Sequence, residues 1–155
     1  MSSPDRRVRL TVSRPCPAPA DRVWDTLVDW RLHKQWMVLT RAHGGSGVGA
    51  RVEAFTGVGP LAFRDPMEIT GWQPATPTTA GYCETRHLGK VVRGWGRFDV
   101  EPAPGGMSTV TWTEWVDLPL GRLGRAGWPI VQPLLANMFD RSLRALGRLA
   151  ARTRR

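Results

Sequence analysis

The end of the chain limits what the rest can be. From about Pro129 onward, "PIVQPLLANMFDRSLRALGRLAARTRR" sets Val131, Leu134, Leu135, Met138, Ser142, Ala145, Leu146 and Leu149 along one stripe at helical spacing. Arg141, Arg144, Arg148, Arg152 and Arg155 recur on the opposite side. A long helix with one such stripe must bury it. What precedes it is patterned largely at period two, so the helix has a sheet to cover.

The strand-like segments can be read in order. "RRVRLTVSRP" alternates Val8, Leu10 and Val12 with polar neighbours, a half-buried strand. In "CPAPADRVWDTLVDW" Pro19 suits a first helical turn, and Val23, Trp24, Leu27 and Val28 repeat at helical spacing. "RLHKQWM" adds a second short helix carrying Leu32 and Trp36 inward. A glycine-rich entry, "GGSGVGA", leads into a second strand around Arg51 to Thr56. "LAFRDPMEITGW" is a third, with Phe63, Met67 and Ile69 on one face and Pro66 marking an edge or bulge. "AGYCETRHLGKVVRGWGRFDVEP" reads as a hairpin turning at Gly89-Lys90. "APGGMS" turns into "TVTWTEWVDLP", and "LGRLGRAGWP" is a linker to the terminal helix. The expected fold class is α+β: a curved antiparallel sheet of about six to seven strands wrapped around a long C-terminal helix, with two short helices after strand one. A chain of 155 residues is one domain, 1–155, by length.

Composition narrows the function classes. The formal net charge is +9, but the excess is arginine scattered along the whole chain, with only Lys34 and Lys90 as lysines. That spread reads as coding bias, and the arginines of the tail as a solvated helix face, so no nucleic-acid partner is expected and the tail is not read as binding an anionic membrane. No apolar run reaches the roughly 20 residues that span a bilayer. "MSSPDRRVRL" shows no signal peptide, so no membrane insertion and a cytoplasmic location are expected. Cys16 and Cys83 form no four-ligand cluster with His33, His43 and His87, so neither metal nor cofactor is called for, and the thiols read as reduced and structural. The glycine string lacks a Gly-Lys-Ser/Thr ending and leads into a strand, unlike a phosphate loop.

Taken together, the early strand, "PADRVWDTLVDWRLHKQW" with Trp24, Asp29 and Trp36, then "GVGARVEAF", "DPMEITGWQPATP" and the helix after "WTEWVDLP" resemble the SRPBCC superfamily. This is the START/birch-pollen-allergen-like helix-grip fold, and the closer likeness is to bacterial proteins of polyketide cyclase/dehydrase type. The resemblance spans nearly the whole chain and implies an internal ligand cavity. It implies no particular activity, because members include cyclases, dehydratases and carriers, and fold does not dictate function.

Strand register locates that cavity. A two-residue turn at Gly89-Lys90 pairs Leu88 with Val91, Thr85 with Gly94 and Cys83 with Gly96. One face then holds Cys83, Thr85, His87, Val92, Gly94, Gly96, Phe98 and Val100, and the other Glu84, Arg86, Arg93, Trp95, Arg97 and Asp99. Apolar matching puts Val110, Trp112, Glu114 and Val116 on the helix side, with Glu114 across from Gly94 in a row with Thr85. Gly94 and Gly96 weaken a strand, and the missing side chains open space between sheet and helix. Phe63, Met67, Thr85, Phe98 and Trp112 are expected to wall that space below, and Val131, Leu135 and Met138 above, with Trp128 as gate or core.

A carboxylate in an apolar pocket is shifted upward and can serve as a general acid or base near neutrality, which makes Glu114 the first catalytic candidate. Its alternative is a satisfied structural partner. His87, the second candidate, stands two strands and two residues away, roughly 10 Å or more, so the expectation is no direct hydrogen bond between them. His33 and His43 receive no role. Three functions stay open: a cyclase/dehydrase-like protein binding a small, mainly hydrophobic molecule, aromatic or lipid-like, with acid/base chemistry at Glu114; a non-catalytic carrier or sensor of such a molecule; and a basic interaction module acting through the tail. The chain is expected to be a monomer or homodimer.

Overall fold

The computed structural model describes residues 7–153. Arg155 of the tail and the first six residues lie outside the described residues. Strand β1 (Arg7–Cys16) is followed by α1 (Ala20–Val28), a single 3-10 turn (Trp30–Leu32) and the short α2 (His33–Trp36). Then come β2 (Thr40–Gly44), β3 (Arg51–Thr56), β4 (Phe63–Gln73), β5 (Gly81–His87), β6 (Gly94–Ala103), β7 (Met107–Asp117) and α3 (Arg122–Arg152). The strands form one antiparallel sheet in the order β1-β7-β6-β5-β4-β3-β2, so the chain meanders from β2 to β7 and β1 closes beside β7. This is the helix-grip arrangement.

Alternation builds the inner face. Leu10, Ile69, Cys83, Val100, Val110 and Trp112 point inward and are buried. The outer face is a lattice of ion pairs, among them Arg97 with Asp99 at 2.8 Å and with Glu84 at 3.6 Å. Helix α3 grips the inner face through Phe139, Leu143, Leu146 and Ala150, all buried, at the i, i+4, i+7, i+11 spacing of one helix face. Asp140 ties the same half of the helix to Arg14 of β1. Ser142 accepts a hydrogen bond from the Val38 amide (3.0 Å) and donates to the Met138 carbonyl (2.9 Å), which explains a hydroxyl inside an apolar stripe. Trp24 meets Trp72 edge-to-face at 5.1 Å and seals α1 to the sheet.

Four expectations are corrected by the structure. The terminal helix begins at Arg122, with Pro129 and Pro133 inside it, so the segment read as a linker is helical. Each proline removes one rung of the backbone ladder, and the half carrying them lies largely in solvent, with Leu134 68% and Val131 44% exposed. Second, "TRAHG" forms β2 although only the small Ala42 and Thr40 mark its inner face, leaving no apolar alternation to read. Third, of the two alternatives for Pro66 the bulge is not found, since the irregularity of β4 falls at Ile69/Gly71, while the edge is: Pro66 lies where β4 has β3 alongside but not yet β5.

The fourth correction concerns the β5–β6 connection. Gly89-Lys90 is not a two-residue turn: His87 pairs with Gly94, Thr85 with Gly96 and Cys83 with Phe98, leaving a loop of residues 88–93. Longer-range partners outcompete the local turn. The Leu88 amide donates to the Pro66 carbonyl (2.8 Å) and the Asp117 amide to that of Arg93 (3.0 Å), so the loop ends belong to β4 and β7. The slip is two residues, and side chains repeat every two, so every strand residue assigned to a face stays on it.

Candidate functional site

Between the sheet and α3 lies a cavity of ≈ 250 Å³. Its floor includes Phe63, Met67, Thr85, Gly96, Phe98 and Trp112, and its roof Leu135, Met138 and Phe139. Rings dominate one wall. Trp112 stacks on Phe139 at 3.7 Å and 4°, joining sheet to helix, and Phe98 tilts against Trp112 at 4.9 Å. Gly94, Trp128 and Val131, expected to line this space, do not. Gly94 lies at the strand end, Trp128 packs against the core, and Val131 is exposed on the first half of α3.

Glu114 and His87 both face inward and line the cavity. The exclusion of a direct contact between them is wrong: His87 Nε2 lies 3.1 Å from Glu114 Oε2. Register places Glu114 opposite Gly96, not Gly94, while Gly94 lies opposite His87. Strand spacing alone treats the side chains as upright. With no side chain on Gly94 or Gly96 between them, the two lean over β6 and meet. A Cβ on Gly96 would sit 2.7 Å from Glu114 Oε1. Gly96→Val is therefore expected to displace Glu114 and fill the floor at a cost of about 1–3 kcal/mol in stability. Thermal melting against cavity binding of an apolar fluorophore checks it.

A third member is Asp65 of β4, whose Oδ2 and Oδ1 lie 2.9 and 3.0 Å from His87 Nδ1. The alternation that turns Phe63, Met67 and Ile69 inward carries Asp65 with it, and that signal is present in the sequence. Trp112 Nε1 donates to Glu114 Oε1 at 2.9 Å, fixing the outer end of the chain. Burial alone would push the His87 imidazole down. Hydrogen bonds and charge from Asp65 and Glu114 outweigh it and lift the pKa to about 10. At neutral pH His87 is an imidazolium donating from both nitrogens to flanking carboxylates.

Two more inward groups escape the sequence reading. Trp30 lines the cavity and donates its Nε1–H to the Gly45 carbonyl at 2.7 Å. His33 is buried, donates from Nε2 to the Leu27 carbonyl (2.8 Å), and is pushed by burial down to about 4, hence neutral. Its ring packs between Trp30 and Trp36, at 5.0 and 4.6 Å. Cys83 also lines the cavity as an unreactive thiol, raised by burial to about 12.

A sequence model of the family described as "Polyketide cyclase / dehydrase and lipid transport" matches residues 7–151. The chain belongs to this family. Solved structures agree on the fold. Zhui aromatase/cyclase from a Streptomyces species superposes with a TM-score of 0.74 at 16% identity, covering 94% of each chain. A Thermus thermophilus protein, TTHA0849, gives 0.74 at 18%, covering 94% of this chain and 100% of the other. A START superfamily protein from Mycobacterium smegmatis gives 0.70 at 12%, covering 92% and 96%. No curated protein matches the sequence. The three solved structures share this chain's fold, and in this chain the grip of the curved sheet on α3 encloses the cavity. Among the described residues, no helix is long and apolar enough to cross a membrane.

Proposed function

We propose that this family member holds a small, mainly apolar molecule, aromatic or lipid-like, in its cavity and moves a proton on it through Glu114, in the manner of a cyclase or dehydratase. One observation carries the reading: a carboxylate–imidazolium–carboxylate chain, Glu114–His87–Asp65, is set into an otherwise apolar wall. The volume suits a ligand of roughly two fused rings, since a dry cavity of about 150 Å³ admits benzene. The ring wall of Trp112 and Phe98 offers flat surfaces to such a ligand.

In a dehydration, Glu114 takes the proton from carbon. The C–H electron pair becomes the new double bond, and the neighbouring C–O bond breaks. The departing hydroxyl takes that proton back and leaves as water. His87 keeps its own proton throughout and balances the charge beside Glu114, while Asp65 holds the ring in line. Binding geometry supplies the remainder, because a carbon chain folded against the ring wall is already near its reacting shape.

A second reading has its own support. Both His87 N–H groups are committed to carboxylates and Glu114 Oε1 is committed to Trp112. In a carrier, the remaining lone pairs of Glu114 would orient one polar group of the cargo and no bond would break. Glu114→Gln separates the two. Native mass spectrometry of wild type and variant identifies any co-purified ligand, and turnover of that ligand is then followed. Ligand retained with conversion reduced about 10²- to 10⁴-fold supports proton transfer. Ligand and conversion both retained removes catalysis by Glu114. If nothing is carried and a panel of polycyclic and fatty molecules leaves the fluorescence of Trp30 and Trp112 unchanged, both readings fail.

A further inference from the structure

Twelve large hydrophobic side chains are exposed among the described residues, and their distribution is one-sided. The strand pairs Thr40 with Thr56, Thr56 with Phe63, His87 with Gly94, and Arg7 with Asp117 put four connections at one end of the sheet. These are the approach to β2, the β3–β4 loop, the β5–β6 loop and the β7–α3 turn. They carry Leu39, Val58, Leu61, Leu88, Val91 and Leu120, all exposed. The first half of α3, which leaves β7 at this same end, adds Leu123, Ile130, Val131 and Leu134, all exposed. Only Val48 and Met107, of the twelve, lie elsewhere. Leu61 is 85% and Leu123 75% exposed, near the limit for a side chain in water.

Charge at this end has one sign. The sequence holds no Asp or Glu in residues 37–41, 57–64, 88–93 or 118–134, whereas Arg41, Arg64, Lys90, Arg93 and Arg122 fall within them. The carboxylates beside these segments are paired in place: Asp65 with His87 at 2.9 Å, Asp117 with Arg7 at 2.9 Å, and Glu53 with Arg64 at 2.6 Å. Arg64 therefore adds no net charge, and Arg41, Lys90, Arg93 and Arg122 carry the excess. The rim also connects to the interior, because Phe63, Val92 and Leu135, from the same loops and helix, line the cavity.

We infer that this end of the molecule docks on an anionic lipid bilayer, with the loop and helix tips seated at the level of the headgroups. Apolar tips ringed by cations and free of carboxylates match a negatively charged surface with an apolar layer beneath it. Scattered single hydrophobics need no explanation, but a set gathered on one end around a cavity rim does. Docked this way, the rim meets the hydrocarbon boundary, and an apolar ligand passes between bilayer and cavity without crossing water. The inference goes beyond the cavity chemistry and stands whether or not Glu114 catalyses anything.

The test is co-sedimentation with vesicles of phosphatidylcholine alone or mixed with phosphatidylglycerol. Binding is expected to the mixed vesicles and to be weak to the neutral ones. Leu61→Glu and Leu123→Glu should each weaken it about tenfold, the equivalent of withdrawing one leucine from the apolar layer. Val48→Glu makes the same charge change at the far end of its hairpin and should stay within about twofold, being more than a Debye length of about 8 Å away. All three positions are exposed, so melting temperatures should match wild type. No binding to mixed vesicles at low salt overturns the inference, as does equal weakening by Val48→Glu. A concentration-dependent dimer in light scattering, dispersed by Leu123→Glu and indifferent to vesicles, would instead assign the face to a second copy of the chain.

Discussion

Replacing Gly94 with alanine is expected to cost about 3 kcal/mol of folding stability, a drop of roughly 10 °C in melting temperature for a chain of this size. Gly94 sits at φ 123°, a conformation that side chains rarely adopt, and a Cβ there would run into the main-chain carbonyl of Trp115 on β7. The obstacle is backbone, not a flexible side chain, so β6 can relieve it only by moving away from its neighbour. The damage falls on the pairing of Gly94 with Val116 and of Trp95 with Trp115. Thermal unfolding of G94A beside wild type measures it, and a loss below about 1 kcal/mol would show that the start of β6 yields readily.

Replacing His87 with leucine is the second large effect. It leaves Asp65 and Glu114 facing one another in an apolar wall with no cation between them, and removal of one partner from a buried ionic group costs about 3–5 kcal/mol. The same residue sets the alkaline arm of stability. Its folded pKa of about 10 lies above the ordinary 6.5, so its contribution is complete below pH 6.5 and is lost as pH rises through 10. The slope is at most about 1.4 kcal/mol per pH unit. Cys16 and Cys83, raised by burial from 9.0 to about 11 and 12, add to the loss only above pH 9, which leaves pH 6.5 to 9 to His87. His33 acts in the opposite direction. Its folded pKa of about 4 lies below 6.5, so stability falls as pH drops from 6.5 toward 4. A maximum near pH 6.5 is expected in chemical denaturation, with H87L flattening the alkaline side.

The architecture is legible in the sequence because it rests on periodicity. Alternation in β1, β4, β6 and β7 is a property of one residue and its neighbours two positions away. The stripe of α3 is legible only in part: Ser142 and Leu146 are buried as read, but Val131 and Leu134 are exposed, and Phe139, Leu143 and Ala150 complete the buried face instead. The hairpin register misleads for a different reason: Leu88 is claimed by Pro66, and no local turn rule contains that long-range bond. The face assignment survives because the slip is even. Legibility of the candidate site is mixed. Glu114 can be placed facing inward from Val110 and Trp112 alone, whereas its contact with His87 depends on how far two side chains tilt across bare glycines. Asp65 is readable from its spacing to Phe63 and Met67, although the sequence reading passes over it. His33 is not readable, since its burial comes from packing between Trp30 and Trp36.

Helix α3 is fastened mainly along one half. Phe139, Leu143, Leu146 and Ala150 are clamped to the sheet, while the half before Leu135 is anchored to the core through Trp128, leaves residues 129–134 exposed, and has two of its ladder rungs removed by Pro129 and Pro133. The roof over the chamber, Leu135, Met138 and Phe139, begins where those exposed turns end, so loosening them reaches only its leading edge at Leu135, at a cost far below the free energy that keeps the whole protein folded. That edge can breathe rapidly while the clamped half, with Met138 and Phe139, keeps its hold on the sheet.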